Sequence, residues 1–287
     1  MSSTPKRPKT LNRLQRLITD WERDSGMPVR RLNLRVAAMM LAGALARVSD
    51  DRDEPVFLTR GGVAIELRAG QKARVTRDVD LTLRADAKSL TDYLDEAFAE
   101  TYEDFSFERD EPVTLPLRPQ AQRVHVKVAF HTKPFTTLAV EVARSEAGEQ
   151  AEHLPAHDLS TVGLNGPNAI PVLAAPWQIA QKLHALTEAP LRPGRENPRY
   201  WDLIDLQLLQ ALTSESLATV RDACVRTFAV RAQQVWPPRV TIFPAWAERY
   251  AAMAASLDMP VEDVETAAAL VHDLIDRIDA ARESKDP

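Results

Sequence analysis

The sequence contains a single cysteine, Cys224, among its 287 residues. One cysteine excludes an intrachain disulfide framework and favours a reducing, cytoplasmic setting. No run reaches the roughly 18 consecutive apolar residues of a membrane-spanning helix, and the polar start MSSTPKRPKT has no apolar signal-peptide core. Positive charge is not in excess either, since 36 Lys and Arg stand against 41 Asp and Glu for a net charge of −5. Any nucleic-acid contact must therefore come from a local basic patch.

The composition is that of a globular protein, with 45% apolar and 27% charged residues. Apolar spacing predicts two helices at 11–23 and 32–48, and strands follow as far as Val142. Residues 144–170 carry scattered Gly, Pro, Asn and Ser, so they are predicted to form a loop at a domain boundary. From Pro176 onward the spacing predicts helices. The sequence thus predicts an α+β fold, with a sheet and its flanking helices before a helical C-terminal bundle.

Residues 60–84, RGGVAIELRAGQKARVTRDVDLTLR, have the most informative local pattern. The apolar run 56–58 predicts a buried strand, which Gly61 and Gly62 end. A short helix and a basic loop follow. Asp78 and Asp80 then alternate with apolar residues, the period of a strand with one buried face.

The chemistry of this segment depends on Asp78 and Asp80. Residues i and i+2 of a strand point to the same side, so their carboxylates repel unless a cation lies between them. Mg²⁺ takes hard oxygen ligands and is commonly held by one or two carboxylates plus substrate phosphates. Gly61 and Gly62 would let backbone N–H groups approach a phosphate at the start of a helix. A double glycine alone is usually a turn, and such an aspartate pair alone usually faces solvent, but the combination is more specific.

A later strand supplies a candidate third carboxylate to join Asp78 and Asp80. Residues 138–142 alternate as a strand, and Glu141 on its polar side is a candidate third carboxylate if that side also carries the aspartates. The alternative is a surface glutamate.

Ser89 is a predicted N-cap for a helix through Ala99, with Asp92 at the capping-box position.

In the helical half, Lys182 borders the apolar stripe of its predicted helix. It either snorkels to water or reaches a phosphate as a point charge. Asp202 and Asp205 share one face of the next helix, and apolar neighbours draw Asp205 toward the interior. Asp205 needs a cationic partner there, and Lys182 or Arg199 could serve, either in a structural ion pair or as part of a site with Lys182.

The glycine pair and the aspartate pair at this spacing resemble the nucleotidyltransferase superfamily, and more narrowly the AbiEii-type toxins, which include the mycobacterial MenT group. The resemblance extends to the segments LAVEV at 138–142, PWQIAQKLHA at 176–185 and WDLIDLQ at 201–207, so it spans most of residues 30–240. It implies a nucleotidyltransferase-fold mixed sheet within residues 1–150. A mainly helical domain at 151–287 would close the active-site cleft.

The resemblance also implies residue roles. Asp78, Asp80 and Glu141 would hold Mg²⁺, and together with Lys182 and Asp205 they would form the catalytic set. The implied nucleotide-binding residues are Arg60, Gly61, Gly62, Arg77 and Lys182. Two positions depart from the family pattern, because Val63 replaces the common Ser or Thr and Arg60 replaces the common Lys.

The implied activity is transfer of a nucleoside monophosphate from an NTP to the 3′ end of tRNA, with release of pyrophosphate. The modified tRNA could not be aminoacylated, translation would stop, and a separate antitoxin protein would counter the toxin. A local basic run adjoins the aspartates and could bind phosphate backbone. It comprises Arg60, Arg68, Lys72, Arg74, Arg77, Arg84 and Lys88.

Two alternatives remain open from the sequence. One is a non-catalytic member of the fold that binds RNA or protein. The other is a nucleotidyltransferase that modifies a protein or a small-molecule hydroxyl, which the absence of a large basic surface leaves possible.

Overall fold

A computed structural model describes residues 5–76, 78–115, 118–146, 148–190 and 194–281. The chain divides into two compact units. The first unit comprises the described residues within 5–67, 75–145 and 151–172, and the second those within 68–74, 146–150 and 173–281. Two short segments of the second unit therefore interrupt the sequence of the first.

The part of the chain up to Leu173 contains helices and all the strands among the described residues. The helices are α1 (Leu11–Ser25), α2 (Val29–Leu45), α3 (Gly61–Ala69) and α4 (Leu90–Phe98), with 3₁₀ turns at Gly70–Lys72 and Ser160–Val162. The strands are β1 (Phe57–Arg60), β2 (Asp78–Leu83), β3 (Phe105–Arg109), β4 (Val113–Leu115), β5 (Arg118–Phe130), β6 (Lys133–Arg144), β7 (Ala151–Pro155) and β8 (Ala169–Leu173).

These strands form one mixed sheet in the order β3-β5-β6-β2-β1-β8-β7, and β4 pairs with β5 outside this path. The central β2 runs parallel to β6 and antiparallel to β1. Apolar residues of β2, β5 and β6 alternate with polar ones, and the apolar set is buried in the core of the first unit with α1, α2 and α4. The other face of these strands carries polar residues, so the alternation places one chemical class on each side of the sheet.

Local signals explain where the helices begin. The Ser89 side chain accepts a hydrogen bond from the Asp92 backbone N–H, and the Asp92 carboxylate accepts one from the Ser89 backbone N–H. This reciprocal pair is the predicted capping box, and it is confirmed. At α1 the Thr10 hydroxyl accepts from the Arg13 N–H, which satisfies one of the exposed amides of the first turn.

The second unit is helical among its described residues, as the sequence predicts. Its helices are α5 (Ala175–Thr187), α6 (Trp201–Leu212), α7 (Leu217–Arg231), α8 (Trp246–Ser256) and α9 (Val264–Ala280). Trp246 and Tyr250 of α8 are buried side chains of this unit, and the Trp246 indole N–H donates to the Asn197 carbonyl at 2.6 Å. None of the described helices, in either unit, has the length and apolar character to cross a membrane.

The prediction of a continuous loop over 144–170 is wrong. Strand β7 and the start of β8 lie within that range, and Ile170 and Val172 of β8 are fully buried. Val172 pairs with Thr59 of β1, so the segment completes the sheet on that side. Strand β7 lies at the edge of the sheet and none of its residues is fully buried, so its sequence has no apolar alternation. The nearby Gly and Pro residues obscured both strands.

Candidate active site

The three predicted metal-binding carboxylates lie on one face of the sheet. In the parallel pair of β2 and β6, Asp80 is the register partner of Glu141, and Asp78 is the partner of Ala139. Paired residues of adjacent strands point to the same side, as do residues i and i+2 of one strand. The intervening Val79 and Val140 are buried on the opposite face. The fold therefore brings Asp78, Asp80 and Glu141 together across two neighbouring strands.

Among the residues that the structure describes, no three His, Cys, Asp or Glu side chains form a group that could hold a metal ion. Glu141 instead accepts a hydrogen bond from the Arg123 guanidinium of β5. This hydrogen bond and the attraction to Glu141 raise the pKa of Arg123, and the charge of Asp78 adds to the effect. Like-charged carboxylates repel, so pairing Glu141 with a cation relieves that repulsion.

The donor set is nevertheless chemically suited to Mg²⁺. All three side chains offer carboxylate oxygens, the ligand type this ion prefers, and Mg²⁺ often needs only one or two protein carboxylates. Glu141 is 15% exposed, so its carboxylate is not sealed in the interior. The residues therefore fit the ion in type and in strand position, and Arg123 is the partner that Glu141 would give up.

The glycine pair is required by close packing. Gly61 has a φ of +61°, and a Cβ atom there would overlap with the Asp80 Oδ2 atom. A Cβ atom at Gly62 would lie 2.6 Å from the Thr76 Cβ. The Asp80 carboxylate thus rests against the backbone where α3 begins, an end of a helix that favours negative charge. Any larger residue at position 61 would displace this carboxylate.

The other predicted nucleotide-binding residues of this region are Arg60 and Arg77. Arg60 is the register partner of Asp80 in the antiparallel pair of β1 and β2, so both side chains lie on one face. Arg77 lies outside the described residues. Val63, at the usual Ser or Thr position, is 4% exposed and belongs to the core of the first unit. Thr76 lies against Gly62, and its hydroxyl donates to the Asp78 carbonyl at 3.0 Å.

In the second unit, Lys182 is buried and shared between two fully buried aspartates. Its Nζ atom donates to Asp202 Oδ1 at 2.7 Å and to Asp205 Oδ2 at 2.6 Å. Burial alone would lower the pKa of Lys182, but attraction to Asp202 and Asp205 outweighs it and raises the pKa. For Asp202 the burial penalty is likewise exceeded by attraction to Lys182 and Arg199, so its pKa is lowered. Lys182 and Asp202 are therefore charged at neutral pH.

Two arginines extend this cluster. Arg74 Nε lies 3.1 Å from Asp205 Oδ2, and Arg199 Nη1 lies 3.6 Å from Asp202 Oδ2. Both guanidinium groups lie over the Trp201 ring, at 5.8 and 5.7 Å from its centroid. Three cationic side chains thus contact two carboxylates in this cluster. Guanidinium groups beside an ammonium group suit an anion such as phosphate.

Sequence reasoning missed the part that Asp202, Arg74 and Arg123 play in these clusters. The spacing of Asp202 and Asp205 was enough to put both on one face of α6, but it did not show that Lys182 contacts them equally. Arg74 was assigned to a basic run, whereas it pairs with Asp205. Arg123 had no local signal, because its pairing with Glu141 depends on the register of β5 and β6.

The predicted basic run is not one open cationic surface. Arg84 pairs with Glu54 at 3.3 Å and Lys88 with Glu96 at 2.6 Å. Arg68 donates to the Leu173 carbonyl at 3.3 Å. Ion pairs of this exposed kind contribute little to stability and can exchange partners readily.

Comparison with solved structures reveals the fold. A nucleotidyltransferase toxin of Mycobacterium tuberculosis, MenT4, superposes with a TM-score of 0.54 at 17% identity, over 94% of this chain and 99% of its own. A putative nucleotidyltransferase from H. pylori is similar at 14% identity and a TM-score of 0.44, over 88% of this chain and 96% of its own. The likeness to MenT4 confirms a nucleotidyltransferase-type fold.

Comparison by sequence finds no match among curated proteins. The family model described as the nucleotidyl transferase AbiEii toxin of type IV toxin–antitoxin systems matches residues 43–282, which is most of the chain. That range contains the carboxylates of β2 and β6 and the lysine cluster of α5 and α6. The chain therefore belongs to the AbiEii family of nucleotidyltransferase toxins.

Proposed function

We propose that this protein transfers a nucleoside monophosphate from an NTP to the 3′ end of tRNA. The tRNA acceptor comes from the resemblance to AbiEii-type toxins, including the MenT group. Transfer would block aminoacylation and stop translation in the cytoplasm, where tRNA and NTPs are found, and a cognate antitoxin protein would restrain the activity. Family membership supports the toxin class and the NTP substrate.

The observation that carries the proposal is the register of β2 and β6. It aligns Asp80 with Glu141 and keeps Asp78 on the same face, beside the glycine turn at Gly61. Two acidic residues rarely stand directly opposite each other on adjacent strands without a task there, because like charges at such positions destabilise a sheet. The best account of this row is metal-assisted phosphoryl chemistry.

The reaction is an in-line displacement at the α-phosphorus. The 3′ hydroxyl oxygen forms a bond to that phosphorus, the bond to the bridging β-phosphate oxygen breaks, and pyrophosphate leaves with the electron pair. Asp78, Asp80 and Glu141 are the proposed Mg²⁺ ligands, and bound Mg²⁺ would stabilise the attacking and leaving oxygens. Glu141 is also proposed to help deprotonate the acceptor hydroxyl.

Other residues of the proposal bind phosphate. The backbone N–H groups at Gly61 and Gly62 and the side chains of Arg60 and Arg77 are proposed to contact the nucleotide. In the second unit, Lys182 is the proposed neutralising cation for phosphate, and Asp205 orients it. The hydrogen bonds of Lys182 to Asp202 and Asp205 support an oriented, charged lysine.

The test is incubation of the protein with total tRNA and each of the four labelled NTPs in turn. Label is expected on tRNA with release of pyrophosphate, and Asp80→Ala is expected to lower the rate by roughly a hundredfold or more. Asp86→Ala is the matched control, since Asp86 is an exposed carboxylate shortly after β2. It should leave the rate unchanged.

Two outcomes would contradict the proposal. Label on the protein instead of on RNA would point to a protein hydroxyl as acceptor. No pyrophosphate release with any NTP would point to a non-catalytic binding protein of this fold.

A further inference from the structure

Arg123 and Glu141 face each other across β5 and β6. They are register partners in this antiparallel pair, and the Arg123 Nη2 atom donates to Glu141 Oε1. The Arg123 side chain is 42% exposed and that of Glu141 15% exposed. The guanidinium therefore covers the one proposed metal ligand that β6 contributes, while remaining open to solvent itself.

The neighbouring basic side chains on the same face of β5 have partners elsewhere. His125 and Lys127 follow Arg123 at intervals of two residues and are exposed. His125 Nδ1 lies 2.9 Å from Asp110 Oδ2, and Lys127 Nζ lies 3.0 Å from Glu108 Oε1. Both partners lie on the β3 side of β5, away from the carboxylates of β2 and β6. Arg123 is turned toward those carboxylates, and the charge of Asp78 also acts on it.

A metal ion and the Arg123 guanidinium compete for the carboxylate oxygens of Glu141. A cation that binds Oε1 takes the position to which the Arg123 Nη2 atom now donates, so binding at that oxygen exchanges one positive partner for another. The displaced guanidinium would then stand beside a metal site with no carboxylate of its own. Its planar fork of donors matches phosphate oxygens in two parallel hydrogen bonds.

We propose that Arg123 is an exchangeable counterion of the metal site. It neutralises Glu141 before the divalent cation arrives, and once displaced by that cation it binds a phosphate group of the incoming substrate. This role rests on the proposed function.

The first test measures metal binding without turnover. Free Mn²⁺ is titrated by electron paramagnetic resonance against wild type, Arg123→Gln and Lys127→Gln, with no nucleotide present. Arg123→Gln is expected to bind Mn²⁺ about two- to fivefold more tightly, the factor that release of a half-exposed ion pair supplies. Lys127→Gln removes the same charge from the same face of β5 and should stay within the wild-type range.

The second test measures phosphate binding at saturating Mn²⁺. The probes are the four α,β-methylene nucleoside triphosphates and, in a separate arm, an RNA oligonucleotide with a free 3′ end. Arg123→Gln is expected to lose about tenfold or more in affinity for one probe, the effect of removing hydrogen bonds to a charged group. The probe that is affected identifies the phosphate as that of the nucleotide or of the acceptor.

The outcomes separate this inference from the proposed function. If wild type binds no Mn²⁺, the proposed metal site itself is wrong. If wild type binds Mn²⁺ but Arg123→Gln binds it equally or more weakly, the exchange role is wrong. If neither probe loses affinity, Arg123 is a surface ion pair only. Circular dichroism spectra and Tm values measured in EDTA check that Arg123→Gln and Lys127→Gln remain folded.

Discussion

Gly61 links backbone conformation to the position of a candidate catalytic carboxylate. We expect Gly61→Ala to lower the free energy of unfolding by about 1–3 kcal/mol, because the positive φ is strained for alanine, and to add a clash with Asp80. The clash should also remove nucleotidyl transfer. Urea unfolding measures the first effect, and the tRNA labelling assay measures the second.

Gly70 provides the matched control for this change. It has the same φ of +61°, but a Cβ atom there would meet no atom within 4 Å. Gly70→Ala should therefore lower the free energy of unfolding through backbone strain and leave nucleotidyl transfer unchanged. Equal losses of activity in both variants would contradict the argument that Gly61 positions Asp80.

Asp202 is as close to Lys182 as the predicted partner Asp205. We expect Asp202→Asn to destabilise the protein by about 1–3 kcal/mol, because a buried lysine loses one of its two counterions and keeps the other. The change should also lower the pKa of Lys182, so that activity falls off at a lower alkaline pH than in wild type. Denaturant titration and a pH–rate profile measure the two effects.

The exposed Asp222 of α7 supplies the comparison, and Asp222→Asn should be neutral in both measurements. A double-mutant cycle of Asp202→Asn with Lys182→Met should give a coupling energy of about 0.5–3 kcal/mol. An additive cycle would show that the hydrogen bond between the two groups contributes nothing to stability.

At this scale the sequence predicts residue types better than pairings. The alternation around Asp78 and Asp80 correctly predicts the strand on which they lie. The pairing of Arg123 with Glu141 could not be predicted, because a cross-strand contact depends on how far β5 and β6 are shifted along each other. The pairing of Arg74 with Asp205 joins residues 131 positions apart, and no local pattern carries that information.

Among the elements, α4 shows how far local chemistry alone specifies structure. Ser89→Ala removes the side-chain acceptor of the capping box, so the free energy of unfolding is expected to fall by about 1 kcal/mol. Ser89→Asn keeps an acceptor at the same position and should restore most of this loss. Thermal and urea unfolding of both variants test the prediction, and equal stability of Ser89→Ala and wild type would refute it.

The elements that sequence analysis predicted well have strong periodicity or caps. Helices α1, α4 and α5 and strand β2 begin within a few residues of their predicted starts. Strands β7 and β8 were missed because β7 has few apolar residues and because Gly166, Pro167 and Asn168 directly precede β8. Such strands form only because a sheet edge is present to pair with them, and that edge is a property of the tertiary fold.

For the whole molecule, His184 gives a pH dependence of stability. Burial, with a contribution from the charge of Arg231, lowers the pKa of His184 to about 4. The unfolded chain, with a histidine pKa of about 6.5, then binds a proton more readily than the folded protein. Stability is therefore fully present above about pH 6.5 and falls as the pH drops from there toward about 4.

His184→Gln removes this titration, so its stability should change less than that of wild type between these two pH values. The comparison is the urea-unfolding free energy of both proteins across the range. His153 is an exposed residue of β7, and His153→Gln is the control. Its free energy of unfolding should change with pH as that of wild type does. If the free energy of unfolding changes with pH equally in wild type and His184→Gln, then His184 binds its proton equally well in the folded and the unfolded protein.

The second unit is assembled from three separate stretches of the chain. Arg74 comes from the stretch at 68–74 and pairs with Asp205, while Glu146 from 146–150 pairs with Arg231 at 2.7 Å. A gene fragment starting at residue 173 would encode the helices but omit both of these ion-pair partners. Recombination with a single crossover at residue 173 would therefore not transfer the whole unit between relatives. The segments 68–74 and 146–150 would have to be inherited together with the segments of the first unit that flank them in the sequence.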